Sequence, residues 1–326
     1  MKSKIENKTG CRRTLSIEVS NDDLKQEFDR VYAEIGNTAR IPGFRPGKAP
    51  RDLLEANFGQ KAKEEVVKRA IPAYYLKAVK EENLVPVAPP EINNVQFKNE
   101  TLFFNATVDV EPQVKIKSYK DLKVIKKKVK VEQAQVDMLL DRLQKAKHAS
   151  AKDDAFAKSL GFQTFQELEQ SARKDLEANA EKEIKMDMER QILDQLLKRA
   201  TMDVPESLVH SQGKELLNQI KLNRVLQGTK KEEVESKEKE LELQAKNEAI
   251  YRIKVFFILE KIAEMENIQL SEEDLHERIA GISHSSGKSE KEVMEYLEKQ
   301  NLLASLKAET RSRKIMKFLL ANVKIE

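Results

Sequence analysis

The feature that most constrains this chain is an apolar series at a single spacing: Leu168, Ala172, Leu176, Ala180, Ile184, Met188, Ile192 and Leu196. Recurrence every four residues requires a helix. With Thr164 and Glu167 forming a capping box at its start, that helix runs to about Ala200, on the order of 55 Å at ~1.5 Å per residue. Strict four-residue spacing drifts around an α-helix, so the stripe winds and meets different neighbours along its length. Its middle is thin in large apolar groups and is expected to be partly exposed. A rod of this length implies an elongated helical domain.

Composition agrees. Charged residues make up 35% and hydrophobic ones 40% of the 326 residues, with 10 Gly and no Trp. That favours long, solvent-exposed helices over compact sheets, and the length leaves room for two or three domains. The formal charge is +4, from 59 basic and 55 acidic residues, an imbalance too small to imply nucleic-acid binding by itself. Cys11 stands alone, which excludes an intrachain disulfide framework and fits a reducing compartment. Met1 to Lys8 has no apolar core, so no signal peptide is expected. The densest apolar run, Ile250 to Ile262, is broken by Arg252, Lys254, Glu260 and Lys261 and is too short and too charged for a bilayer. A soluble cytoplasmic protein is expected.

The N-terminal part reads differently. Cys11 to Val19 alternates as a half-buried strand. Ser20 to Asp23 opens a helix with Leu24, Phe28, Val31, Tyr32 and Ile35 on one face, closed by Gly36 and Asn37. Pro50 suits the first turn of the next helix, where Leu53, Leu54 and Phe58 face inward. Gly59 is expected to break or bend that segment. A longer helix then reaches about Asn83, and Pro72 is expected to kink it or mark a junction. After an extended stretch from Leu84 to Pro90, Ile92–Phe97 and Thr101–Glu111 form a hairpin around Lys98, Asn99 and Glu100. The order is β-α-α-β-β, a sheet with helices on one face.

Between the two helices lies Ile41-Pro-Gly-Phe-Arg-Pro-Gly-Lys-Ala-Pro50. Glycine and proline at this density make a tight, pre-shaped loop. Phe44 beside Arg45 on its tip is the kind of pair that anchors an interface. The competing reading is an ordinary surface loop whose Phe folds back on its own domain. Gly43-Phe44-Arg45-Pro46-Gly47-Lys48-Ala49-Pro50 resembles the G-F-R-x-G-x-x-P signature of the trigger factor family, bacterial ribosome-associated chaperones. The resemblance implies docking beside the polypeptide exit tunnel of the large ribosomal subunit, through Gly43, Phe44, Arg45, Pro46, Gly47, Lys48 and Pro50. A lysine often follows the Arg in that family. Pro46 stands there in this chain, and Lys48 is the cation that can replace it.

The resemblance covers residues 1–112 as a ribosome-binding domain. Residues 113–152 follow as a connector and helix. Lys115, Lys117, Lys120, Lys123, Lys126, Lys127, Lys128 and Lys130 give the connector a basic face, open to ribosomal RNA or acidic nascent chains or simply solvated. Gln133 to Ala149 is helical. In most of the family a peptidyl-prolyl isomerase domain is inserted after this helix. Here Ala149 to Asp153 leads straight to Asp154–Phe162, which resembles the family's entry to its C-terminal domain, so that whole domain is expected to be absent. Residues 153–326 then form an all-α domain with two arms. The first is an αα-hairpin: a helix from Asp203 to Gly228 and a return helix from Thr229, whose apolar Ala249–Met265 belongs in the middle of the helical domain. The second follows helix starts at Ser271 and Ser289, with Asn301 capping a last helix.

The fold class is therefore an α+β ribosome-binding domain followed by an elongated all-α domain. The resemblance implies an ATP-independent chaperone that shields nascent and unfolded polypeptides in a cradle between its arms, with a ribosomal protein and ribosomal RNA as docking partners. No cofactor, metal, membrane or catalytic residue is expected. Client contacts fall on Leu222, Val225, Leu226, Tyr296 and Leu303, each of which also reads as ordinary helix packing. Exposed arm faces favour a homodimer off the ribosome. A ribosome-independent holdase, a scaffold for one dedicated partner and a residual prolyl isomerase remain as alternatives. Gly281 to Ser289 resembles a P-loop but has one residue too many between its glycines and follows a helix, not a strand. His148, His210, His276 and His284 have no spacing suited to zinc.

Overall fold

In the computed structural model all residues are described except Pro46, Asn99, Lys128 and Val129, together with the side chain of Asn7. The chain packs as two compact units, Met1–Val114 with Met202–Lys254, and Lys115–Thr201 with Val255–Glu326. Eight strands are described: β1 (Lys2–Thr9), β2 (Arg12–Val19), β3 (Glu91–Lys98), β4 (Thr101–Asp109), β5 (Lys115–Ile116), β6 (Lys123–Val124), β7 (Ala200–Thr201) and β8 (Lys324–Ile325). The helices begin with α1 (Asn21–Thr38), α2 (Arg51–Glu81), α3 (Gln133–Lys147), α4 (Asp154–Ser159) and α5 (Phe165–Arg199). They continue with α6 (Glu206–Leu226), α7 (Lys231–Ser236), α8 (Glu238–Met265), α9 (Glu272–Ser286), α10 (Glu290–Lys299) and α11 (Leu303–Asn322).

The first unit is built on an antiparallel sheet of order β1-β2-β4-β3. The expected β-α-α-β-β order stands with one more strand, β1, in front of it. Ile5 is the only large apolar residue in β1, so no alternation marks it in the sequence. It is an edge strand, where lysines guard an unpaired backbone against other chains. Leu15, Ile17 and Val19 of β2 and Leu102, Phe104, Ala106 and Val108 of β4 are buried beneath α1 and α2.

Residues 51–81 form one helix, continuous through Gly59 and Pro72, where a break and a kink or junction were expected. Leu54, Ala62, Val66, Ala70 and Ala78 bury its inner face, and that packing outweighs the intrinsic cost of both residues. Pro72 lies on the exposed side, as does Lys68 four residues earlier. The carbonyl that proline leaves without a donor can therefore bond to water.

The same unit holds α6, α7 and the first part of α8, the hairpin of the first arm. Its return is divided into α7 and α8 at Lys237, where a single helix from Thr229 was expected. Val234 of α7 is buried. Leu216 packs with Ala245 and Ala249. A Cβ added at Gly213 would meet the Cα of Lys246 at 3.8 Å, an ordinary contact, so α6 lies close to α8 there without requiring glycine. The start of α6 is fixed to the sheet. Pro205 at its N-cap offers no side-chain acceptor, and the buried carboxylate of Asp109 instead accepts from the Ser207 N–H at 2.8 Å. Cys11 Sγ donates to the Asp203 carbonyl, and Arg12 pairs with Glu91 at 3.0 Å and with Glu206 at 3.8 Å.

In the second unit, α5 runs for 35 residues. It buries Leu168 and Ala172 near one end and Met188, Ile192 and Leu196 near the other, with a lightly covered middle, as the winding stripe requires. Its first turns share a core with α3 and α4, through Val136, Leu140, Phe156 and Ala157. The stretch expected as a connector is extended, but it is not a free linker. Strand β5 pairs with β7, β6 pairs with β8, and Leu122 and Val124 are fully buried. Both α9 and α10 carry complete capping boxes, at Ser271 and Ser289. Asn301 is not an N-cap. It takes a left-handed φ of 55°, which asparagine tolerates, and Leu302 occupies the N-cap of α11. Among the described residues no helix is long and apolar enough to cross a membrane.

Candidate functional site

The loop between α1 and α2 consists of two successive Pro-Gly turns. In the first, Phe44 N–H donates to Ile41 O at 3.1 Å, with Pro42 second and Gly43 third at φ 86°. This is the arrangement of a type II turn, where only glycine reaches a positive φ cheaply. In the second, Lys48 N–H donates to Arg45 O at 3.0 Å, with Gly47 third at φ 82°. Pro46, a predicted docking residue, lies outside the described residues. Gly47 N–H donates to Gly36 O at 2.8 Å, which ties the loop to the end of α1. A Cβ added at Gly47 would sit 3.2 Å from Asn37 Oδ1.

Ile41 and Ala49 fold inward against the core, and Phe44, between the two turns, stays 41% exposed. The chain's anchors are thus on either side of the aromatic, not the aromatic itself. Arg45, Gly47, Lys48 and Pro50 are exposed as well. No acidic residue occurs between Glu34 and Asp52, while Arg40, Arg45, Lys48 and Arg51 do. Arg51 is committed internally: its guanidinium lies 3.7 Å from the centre of the Tyr32 ring and pairs with Asp29 and Glu55. Arg69 holds α1 to α2 through both carboxylate oxygens of Glu34, at 2.8 and 2.9 Å, and keeps the Glu34 carboxyl below its usual range. Arg40, Arg45 and Lys48 make no ion pair among the described residues. Arg40 was missed by motif reading because it lies before the signature. Counting cations between the two nearest acids would have found it.

Of the residues predicted to meet clients, Leu222, Val225 and Leu226 share one face at the end of α6, at 59%, 45% and 75% exposure. Gly228, at φ 90°, ends the helix just beyond them. Their i, i+3, i+4 spacing makes an apolar patch that the described residues of the same unit leave exposed. In the second unit, Ile279, Val293, Leu297 and Leu306 make the small core of the second arm. Tyr296 stands outside that core at 54% exposure, with Lys288 Nζ 5.7 Å from its ring centre. Leu303 is half-buried, and its neighbour Leu302 is the more exposed of the two, at 41%.

The basic face of residues 115–130 is partly neutralised. Lys120 pairs with Glu266, Lys123 with Glu326 and Lys127 with Asp187. Hydrogen bonding to these carboxylates raises the Lys120 and Lys123 ammonium pKa values. Tyr119 donates its hydroxyl to Glu266, and together with Lys120 it holds that carboxyl below the usual range. Lys128 lies outside the described residues. Gly281 to Ser286 belong to α9, so the segment resembling a P-loop is helix at that point.

Comparison with known proteins covers nearly the whole chain. The family model "Bacterial trigger factor protein (TF)" matches residues 1–143, and that of the "Bacterial trigger factor protein (TF) C-terminus" matches residues 164–321. The trigger factor of Mycolicibacterium smegmatis is 39% identical over 145 residues, covering 44% of this chain and 31% of that protein. The trigger factor of Geobacter sp. strain M21 is 38% identical over the same length and is covered to 33%. The match thus spans about a third of the length of these relatives. The trigger factor of Mycobacterium avium strain 104 aligns at 24% identity over 416 positions, 95% of this chain and 88% of that protein. Since this chain has 326 residues, that relative carries stretches with no counterpart here. A solved structure described as "Promiscuous Substrate Recognition in Folding and Assembly Activities of the Trigger Factor Chaperone" superposes with a TM-score of 0.61. It covers 98% of this chain and 99% of that one at 16% identity, a likeness of fold.

Proposed function

The chain belongs to the bacterial trigger factor family, and we propose that it is an ATP-independent chaperone that docks at the ribosomal tunnel exit and shields unfolded polypeptide without isomerising prolines. The observation that carries this reading is the loop: Phe44 is held between two Pro-Gly turns and left exposed. The same stretch of chain carries Arg40, Arg45 and Lys48, three exposed cations that no described carboxylate pairs. An aromatic anchor with a cationic rim suits a protein surface embedded in anionic RNA. Pro46 stands where the family often has lysine, and Arg40 and Lys48 supply charge on either side of it.

Shielding would be passive. The face of Leu222, Val225 and Leu226 offers apolar area to an emerging hydrophobic segment, at ~25 cal/mol per Å² buried, and Tyr296 offers the same on the second arm. A client leaves as it buries its own surface. The absence of isomerase activity is supported by the middle of the chain. Only the residues between 143 and 164 separate the two family matches. They hold the end of α3, the short α4 and the turns around them, which leaves no room for a catalytic domain. We further propose functional boundaries near residues 112 and 153, with the segment between them serving as a braced connector, and a location in the cytoplasm.

The test is a set of three assays on the same preparation. Co-sedimentation with bacterial ribosomes is expected for the unsubstituted chain and lost on Phe44→Ala, Arg45→Ala. Suppression of aggregation of an unrelated unfolded protein is expected for both. A prolyl-isomerisation assay is expected to show no acceleration. Failure of the unsubstituted chain to pellet would leave a ribosome-independent holdase, and failure to suppress aggregation would remove the chaperone reading altogether.

A further inference from the structure

The stretch around β6 has its backbone satisfied on both edges, by two quite different partners. On one edge, Gln191 and Gln195 of α5 act as a strand would. Gln195 Oε1 accepts from Lys123 N–H at 3.3 Å and its Nε2 donates to Lys123 O at 2.6 Å. Gln191 Oε1 accepts from Ile125 N–H at 2.8 Å and its Nε2 donates to Ile125 O at 3.1 Å. One helical turn separates the two glutamines and one residue, Val124, separates their partners, so each amide reads the N–H and C=O of an alternate residue. Leu122 and Val124, pointing the other way in the pleat, are 1% and 0% exposed. This strand is therefore fixed in register from one side by amides and from below by its own side chains.

The other edge is covered by the segment after α11. Lys324 N–H donates to Leu122 O and Glu326 N–H to Val124 O, both at 2.9 Å. Lys126 N–H donates to Glu326 O at 3.4 Å, and the Glu326 carboxylate pairs with Lys123. The pairing is parallel, with Lys123 opposite Lys324 and Val124 opposite Ile325. Unlike β6, the covering segment buries little: Lys324, Ile325 and Glu326 are all exposed, Ile325 to 58%. One member of the pair is anchored and the other is held by backbone bonds and one ion pair.

We propose that the edge of residues 122–126 facing away from Gln191 and Gln195 is a docking strand for an extended segment of unfolded polypeptide, and that residues 323–326 occupy it as an intramolecular cap. The edge reads peptide groups, so it accepts many sequences. Lys123 adds a preference for an acidic residue at the position now held by Glu326. The proposal rests on the reading that the chain holds unfolded polypeptide, and it assigns such segments a second mode of contact, by backbone pairing, beside the apolar arm faces.

The test opens the cap in the full-length chain. Lys324→Pro, Glu326→Pro removes both tail donors, with Glu326→Pro alone as a milder variant and circular dichroism as the control for folding. The probe is a fluorescent synthetic peptide of residues 321–326, followed by anisotropy. The uncapped chain is expected to bind it at least tenfold more tightly than the unsubstituted chain, with the single variant in between. A peptide N-methylated at its Lys324 and Glu326 amides is expected not to bind, and a reduced, carboxymethylated unfolded protein is expected to displace the unmodified peptide. Equal binding by capped and uncapped chains, or binding of the N-methylated peptide, overturns the docking edge. Peptide binding without displacement by the unfolded protein overturns the assigned occupant. Loss of aggregation suppression in the unsubstituted chain is a separate readout, which strikes the chaperone reading and leaves the peptide result to stand by itself.

Discussion

Phe44→Ala isolates the proposed anchor in the loop between α1 and α2. A buried phenylalanine covers about 150–250 Å², and 41% of Phe44 remains exposed in the free chain. A partner that covers this remainder removes on the order of 80 Å² from water, worth about 2 kcal/mol at ~25 cal/mol per Å². The ribosome dissociation constant should therefore rise about 30-fold. Folding stability should stay within about 0.5 kcal/mol, as for surface substitutions away from special contacts, because the loop is pinned by Ile41, Ala49 and its backbone bonds. The assay is equilibrium sedimentation of a labelled chain with ribosomes across several salt concentrations, paired with urea unfolding. Phe44→Leu should fall between the two. Arg45→Ala should act mainly by flattening the salt dependence, since it removes an exposed charge and little apolar area. A change of less than about threefold for Phe44→Ala, with docking otherwise intact, would refute the reasoning, because the affinity would then come from elsewhere on the chain.

Three further outcomes are expected. Gly47→Ala must hold a non-glycine residue at φ 82° with its Cβ 3.2 Å from Asn37 Oδ1, costing about 1–2 kcal/mol. Gly43→Ala carries the φ cost without a steric neighbour and should cost less in the same urea titration. Asp109→Ala removes the acceptor for Ser207 N–H and should cost about 1–2 kcal/mol, read as a roughly tenfold rise in hydrogen exchange across the first turn of α6, with Asp109→Asn intermediate. Asp274 is held to a pKa of about 2, first by the Lys314 ammonium and then by the Ser271 backbone and hydroxyl. Its folded value is depressed, so its stabilisation is complete above the unfolded value near 4 and is lost as pH falls toward 2. Because its side chain is 26% exposed, the effect should be about 1 kcal/mol. Asp274→Asn should cost that much at pH 7 and almost nothing at pH 2, measured by thermal unfolding.

Local pattern carried much of this protein into view. The winding stripe of α5, the alternation of β2 and β4, the serine capping boxes and the two Pro-Gly turns are written in spacings of a few residues. Each depends on backbone geometry and on which side chains repeat at its period. The shape of the loop between α1 and α2 was legible for the same reason: glycine and proline at those positions allow few shapes, and all of them keep Phe44 and Arg45 out of a helix. Leu222, Val225 and Leu226 read equally as client contacts and as ordinary helix packing, and only the fold leaves them exposed.

What the sequence left open depends on partners distant in the chain. Strand β1 is nearly all polar, and only pairing with β2 makes it a strand. Helix α2 passes through Gly59 and Pro72 because the core it shares with α1 and the sheet repays the burial of its inner face, an energy no helix propensity contains. The lysine-rich stretch from 115 to 130 reads as a linker until Gln191 and Gln195 from α5 and the segment after α11 close on its backbone. Asp109 is one carboxylate among 55 acidic residues until the fold sets it against the start of α6. Short-range order follows from residue type and period, because it needs only neighbours a turn or a pleat away. The choice of which backbone edge is filled, and which buried carboxylate caps which helix, is made only when the packed units bring those groups within hydrogen-bonding distance.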